Sequence, residues 1–213
     1  MAVTDQAAER AMRIGILGGT FDPVHIGHLI IAEEARCRLG LDQVIFVPAR
    51  TSPLKQGGDG LFDDQARYAM VCAAIASNPA FAVSRIDLDR QPPSYTVDTL
   101  RLMRAELGPQ HGYYFVLGAD SLLTLAEWRS PREIIRMARL AVVSRPGYPP
   151  DVDRLEARIP GITAATVILE GPTVGISSTD IRRRLQSGLS VRYLVPDAVL
   201  AQIARSHSEA VDL

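Results

Sequence analysis

Six short apolar runs, at residues 13–19, 43–49, 81–88, 112–120, 139–147 and 165–171, are separated by stretches of helical periodicity. The runs are continuous, as in RIGILGG and QVIFVPA, and do not alternate polar with apolar residues. A strand that is apolar at every position has both faces buried, and strands that alternate with helices pair in parallel. The pattern predicts an α/β fold with a Rossmann-like, doubly wound parallel sheet. Helices are expected over 25–39, closed by Gly40, and over 63–78, 94–107, 130–138, 178–188 and roughly 196–205. Ligands of such folds bind beyond the carboxyl ends of the strands. Every motif below lies at such an end or just after one.

A chain of 213 residues suits a single domain, expected over 13–205 with 1–12 as a disordered extension and 206–213 as a polar tail. Its 23 basic and 24 acidic residues nearly cancel, so charge favours neither nucleic acid nor a membrane surface as partner. Cys37 and Cys72 each sit in an apolar helical run, which suggests unpaired thiols in a reducing cytoplasm. The first twelve residues lack the apolar core of a secretion signal, and no later run reaches membrane-spanning length. A homo-oligomer is left open.

The stretch GILGGTFDPVHIGHL begins like a dinucleotide-binding turn, but the fingerprint needs glycine at 15, 17 and 20, where Leu17 and Thr20 break it. His25 and His28 share a helix face and could ligate a metal, with Asp22 as the nearby third group. They could equally be a solvated polar helix start. The neighbours favour a phosphate cradle. Gly18 and Gly19 let backbone approach a ligand, the helix start presents unpaired N–H groups, and two imidazoles add donors. Gly27, without a side chain, would let a flat base lie against the backbone.

Four further segments have both a plain and a functional reading. In GISSTDIRRRL, Ser177, Ser178 and Thr179 cap a helix and Arg182 stands one turn on, giving a capped basic helix or a second phosphate site. Lys55, in the Gly/Ser/Pro-rich surface loop 50–60, is a solvated lysine or an ammonium that closes over phosphates. Tyr95 and Thr96 open a helix whose amides suit a carboxylate, though Tyr95 could simply be core. Trp128, the single tryptophan, is core or a stacking surface; Asp120 and Arg145 follow strand ends.

GGTFDPVHIGHL resembles the signature of the His-x-Gly-His nucleotidyltransferases, and its longer form is most similar to the bacterial nicotinate-nucleotide adenylyltransferase family. That family's second signature, Ile-Ser-Ser-Thr-x-Ile-Arg, is matched in full by residues 176–182, and the resemblance runs from Arg13 to about Ala204. It implies a sheet of the nucleotidyltransferase type and transfer of AMP from ATP to nicotinate mononucleotide, releasing pyrophosphate. It implies catalytic contacts from His25, His28, Lys55 and Arg182 to phosphate oxygens. Gly18, Gly19, Thr20, Phe21 and Gly27 would meet ATP, as would Gly118, Asp120, Arg145, Ile176, Ser177 and Ser178. Tyr95, Thr96 and Trp128 would meet nicotinate mononucleotide.

The chain departs from the family at Ser52-Pro53-Leu54-Lys55, where Pro-Pro-His-Lys is usual, so Leu54 removes one phosphate donor. A phosphate monoester with a second pKa near ~6 is already a dianionic nucleophile, so no general base is needed. Mg²⁺ is expected on ATP oxygens, mostly through water, with no protein metal ligand. A pantetheine-phosphate adenylyltransferase and a non-catalytic nucleotide sensor are the alternatives.

Overall fold

The computed structural model describes residues 10–51, 60–144, 147, 150–172 and 174–211. Six strands, β1 (Arg13–Gly19), β2 (Gln43–Pro48), β3 (Phe81–Val83), β4 (Gly112–Gly118), β5 (Arg139–Ser144) and β6 (Thr166–Glu170), form one sheet in the order β3-β2-β1-β4-β5-β6. All neighbours are parallel. The winding direction reverses between β1 and β4. That switch point opens a crevice at their carboxyl ends.

The continuous apolar runs are explained by burial on both faces. Leu17, Val44, Phe46, Val116, Ala141 and Val143 face one core, while Ile14, Ile16, Ile45, Val47, Phe115 and Val142 face the other. The first core is closed by α1 (Ile26–Leu39), α2 (Asp64–Ile75), α8 (Ser178–Gln186) and α9 (Asp197–Val211), through residues such as Ala32, Met70, Ile181 and Ile203. The second is closed by α3 (Thr96–Leu107), α4 (Ala119–Leu123), α5 (Pro131–Met137), α6 (Asp153–Glu156) and α7 (Ile162–Ala165). α1 ends where glycine predicts: Gly40 is left-handed (φ 56°) and its N–H returns to Arg36 O.

Three local expectations differ from the structure. The run 81–88 is strand only over Phe81–Val83. Ser84 N–H still donates to Phe46 O, but the Ser84 hydroxyl then accepts from Ile86 N–H and Arg85 O accepts from Leu88 N–H and Asp89 N–H. The chain therefore turns while its apolar residues remain inward. The helices α4, α6 and α7 are single turns too short to show periodicity. α9 continues through Val211, past the end its amphipathic pattern suggested. No described helix is long and apolar enough to cross a membrane.

Candidate active site

Both signatures meet at the switch point. β1 ends at Gly19 and the chain enters α1 through Thr20, Phe21, Asp22, Pro23 and Val24, with a cis Asp22–Pro23 bond. Phe21 takes a left-handed conformation (φ 49°), uncommon for a residue with a side chain. Its ring is held by Phe46 at 5.8 Å and meets His28 edge-on at 4.9 Å. A Cβ on Gly19 would stand 3.2 Å from that ring, so this glycine leaves room for Phe21. Phe21 is 1% exposed. The buried ring supports His28 from behind.

His25 is the N-cap residue of α1 and His28 its third residue. His28 Nδ1 accepts from the His25 backbone N–H at 3.2 Å, the part a glutamate or glutamine usually plays in a capping box. With Nδ1 an acceptor, the neutral ring carries its proton on Nε2 and donates from there. The two imidazoles stack, centroids 3.7 Å apart. His25 is buried, and burial lowers its pKa from 6.5 to about 4, so at neutral pH it is an uncharged donor. Its buried Nδ1 has no hydrogen-bond partner. A Cβ on Gly27 would lie 3.1 Å from that atom and 3.2 Å from Cε1. The space a side chain at Gly27 would take is thus occupied by the His25 ring.

α8 is pinned onto this turn. Ser178 Oγ donates to Pro23 O at 3.0 Å, and Arg182 Nη1 donates to Asp22 O at 2.8 Å while standing 3.5 Å from Asp22 Oδ2. Asp22 is 1% exposed and also accepts from Leu61 N–H and Phe62 N–H, both at 3.1 Å. Asp22 therefore joins the first signature, the second signature and the approach to α2. A carboxylate so committed does not serve the histidines as a metal ligand. Among the described residues no group of three or more His, Cys, Asp or Glu could hold a metal ion.

Helix N-termini supply the remaining donors. In α1, Ile26 N–H donates to Leu194 O and His28 N–H to His25 O, leaving the Gly27 amide unpaired among the described residues. In α8, Ser177 Oγ accepts from Asp180 N–H at 3.1 Å, leaving the Ser178 and Thr179 amides unpaired among the described residues. In α3, Tyr95 O accepts from the Asp98 and Thr99 amides, leaving those of Thr96 and Val97 unpaired among the described residues. Unpaired amides at the positive end of a helix dipole suit an anion.

Beside the cradle lies a cavity of about 290 Å³, walled by Gly18, Gly19 and Thr20 on one side and by Tyr95, Thr96 and Trp128 on another. Trp128 meets Phe115 edge-on at 6.0 Å, and its Nε1 donates to Thr124 Oγ1 at 3.2 Å. Its polar edge is thereby engaged. Asp87 and Ser94 also line the cavity. Arg90 Nε donates to Asp87 at 2.8 Å, Thr99 Oγ1 donates to Asp87 at 2.9 Å, and Arg90 Nη2 reaches Tyr95 O at 3.1 Å. Burial pushes the Asp87 carboxyl up, opposed by Arg90. This network holds the entry to α3 in place.

Other expected residues are distributed around these features. Gly118 caps α4, and Asp120 is exposed in its first turn, outside the cavity wall. Ile176 packs against the first core, its carbonyl 3.9 Å from a Cβ built on Gly27. Lys55 and Arg145 lie outside the described residues. Sequence reasoning missed Arg67, Asp87, Arg90 and Arg129. Arg67 is 3% exposed and donates to Thr20 O and to Asp64. It had a readable signal, a cation on the same helical stripe as Met70, Val71 and Ala74.

The sequence profile of the cytidylyltransferase-like family matches residues 16–184. A probable nicotinate-nucleotide adenylyltransferase of Herpetosiphon aurantiacus is 45% identical over 91% of this chain and 96% of its own. One from Thermus thermophilus is 47% identical over 91% and 97%. Among solved structures, nicotinic acid mononucleotide adenylyltransferase of Plasmodium falciparum, complexed with NaAD, superposes with a TM-score of 0.73. It is 19% identical and covers 92% of this chain and 96% of its own, a likeness of fold.

Proposed function

The chain belongs to the cytidylyltransferase-like family, among the nicotinate-nucleotide adenylyltransferases, and from that premise we propose that it transfers AMP from ATP to nicotinate mononucleotide. The products are nicotinate adenine dinucleotide and pyrophosphate. One observation carries the reading most directly: the stacked His25–His28 pair and the start of α8 are locked onto one turn, beside a cavity with a flat aromatic wall.

The reaction brings two anions together. The 5′-phosphate oxygen of nicotinate mononucleotide attacks the α-phosphorus of ATP, and the bond to the bridging oxygen of pyrophosphate breaks. The nucleophile arrives ionised, so no protein group needs to remove a proton. Positioning and charge stabilisation supply the catalysis. In this reading His28 Nε2–H and the uncharged His25 donate to oxygens of the α-phosphate. The Ser178 and Thr179 amides, with Arg182 stiffening their helix, receive the departing phosphates. Lys55 completes the cation set. Gly18, Gly19 and Thr20 separate the two nucleotides, Tyr95 and Thr96 receive the carboxylate, and Trp128 covers the pyridine ring. Mg²⁺ comes with ATP as part of the substrate, in keeping with a donor set rich in N–H groups and poor in uncommitted carboxylates.

The test is pyrophosphate release with ATP, Mg²⁺ and each of two acceptors, nicotinate mononucleotide and phosphopantetheine. Turnover with nicotinate mononucleotide and none with phosphopantetheine is expected. Turnover with phosphopantetheine alone, or with no acceptor, overturns the reading.

A further inference from the structure

The cavity wall holds a cation that neither signature contains. The chain leaves the 3₁₀ turn Leu125–Glu127 in extended conformation, so Glu127, Trp128 and Arg129 all line the cavity. Arg129 lies over the Tyr95 ring, its Cζ 4.7 Å from the centroid. Its only carboxylate neighbour among the described residues is Asp98, at 4.0 Å, and Asp98 already takes a 2.6 Å bond from Arg101. The side chain is 59% exposed, so the guanidinium stands at the mouth, stacked but not saturated.

Stacking fixes where those donors lie. Tyr95 is the N-cap of α3, so the guanidinium stacks on the residue that opens the helix whose Thr96 and Val97 amides are unpaired among the described residues. The amides of this helix start and the guanidinium are all donors. A carboxylate, which only accepts, is satisfied there by charge-assisted bonds. A carboxamide presents an NH₂ against N–H groups and loses at least one pairing. Glu127 lines the same cavity and alone would repel an acid. The Arg129 cation offsets it.

We infer that Arg129 is a specificity-determining residue that selects a pyridine nucleotide bearing a ring carboxylate over the corresponding carboxamide. This rests on reading the cavity as the pyridine nucleotide site. The charge-assisted bond involved corresponds to roughly 10- to 100-fold in affinity.

Equilibrium binding of nicotinate mononucleotide and of nicotinamide mononucleotide, without ATP, to wild type, Arg129→Ala and Arg129→Lys tests it. In Arg129→Ala the Kd for the acid should rise about 10- to 100-fold while that for the amide changes less than about twofold. Arg129→Lys should recover part of the difference, since an ammonium keeps the charge but lacks the planar fork. An equal loss for both ligands would mean that Arg129 acts through Tyr95 packing, and overturns the assignment; so does no loss for either. Pyrophosphate release by wild type is read separately: binding that discriminates without turnover would sink the proposed reaction and leave Arg129 standing. Absence of binding by either mononucleotide overturns both.

Discussion

Arg182 and Asp22, 160 residues apart in sequence, are joined twice: Nη1 donates to the Asp22 carbonyl at 2.8 Å and lies 3.5 Å from its carboxylate. The Asp22 carboxylate has a second set of partners in the Leu61 and Phe62 amides, whereas Arg182 has, among the described residues, only Thr179 Oγ1 at 3.4 Å besides Asp22. Removing Asp22 strands more groups than removing Arg182. Asp22→Ala should therefore cost about 3–5 kcal/mol and Arg182→Ala about 1–2 kcal/mol in urea unfolding. Equal losses would refute this asymmetry. In kinetics both should weaken ATP use, because the turn that carries the histidines loses its anchor.

His28 has two separable duties. His28→Ala should cost about 1 kcal/mol by deleting the acceptor for the His25 N–H, and should lower kcat by roughly 10²–10³ by deleting a donor to the reacting phosphate. His28→Gln restores an acceptor at the same helical position. Its melting temperature should return toward wild type while kcat stays low. Recovery of both together would show that capping alone explains the residue.

Acid should destabilise the fold through His25, whose pKa burial lowers from 6.5 to about 4. Between those values the unfolded chain binds a proton that the folded chain refuses. The contribution is complete above about pH 6.5, declines as pH falls toward 4 and then levels off, with a full size of roughly 3 kcal/mol. Urea midpoints measured across this range should fall for wild type and flatten in His25→Asn. Parallel slopes in the two proteins would remove His25 as the cause.

At Gly27 two effects oppose each other. Alanine favours a helix over glycine by about 1 kcal/mol. Its Cβ, however, would stand 3.1 Å from His25 Nδ1 and must displace that ring. Gly27→Ala should therefore leave stability within about 1 kcal/mol of wild type yet reduce kcat at least tenfold. Full activity would mean that the His25 ring position does not matter to the reaction.

Much of this molecule is readable along the chain. The six apolar runs specify a sheet covered on both sides because a strand cannot be apolar on both faces and remain wet. The GGTFDPVHIGHL and ISSTDIR segments identify two helix starts rich in donors, because capping and dipole effects are local. What the chain does not display is which local pieces meet. Phe21 reads as a ligand contact, and the fold sets its ring behind His28; Gly27 reads as space for a base, and the fold sets the His25 ring against it. Asp22 reads as a third group beside the two histidines, and the fold makes it the joint between both signatures. Arg129 carries no motif at all, and only the approach of its loop to α3 sets it against Tyr95. Periodicity and caps depend on neighbours within a few residues, so sequence alone determined the fold class and the two donor-rich turns. Burial and pairing across 155 or 160 residues depend on how the sheet is wound, so only the tertiary structure decided which side chains line the cavity and which hold the others in place.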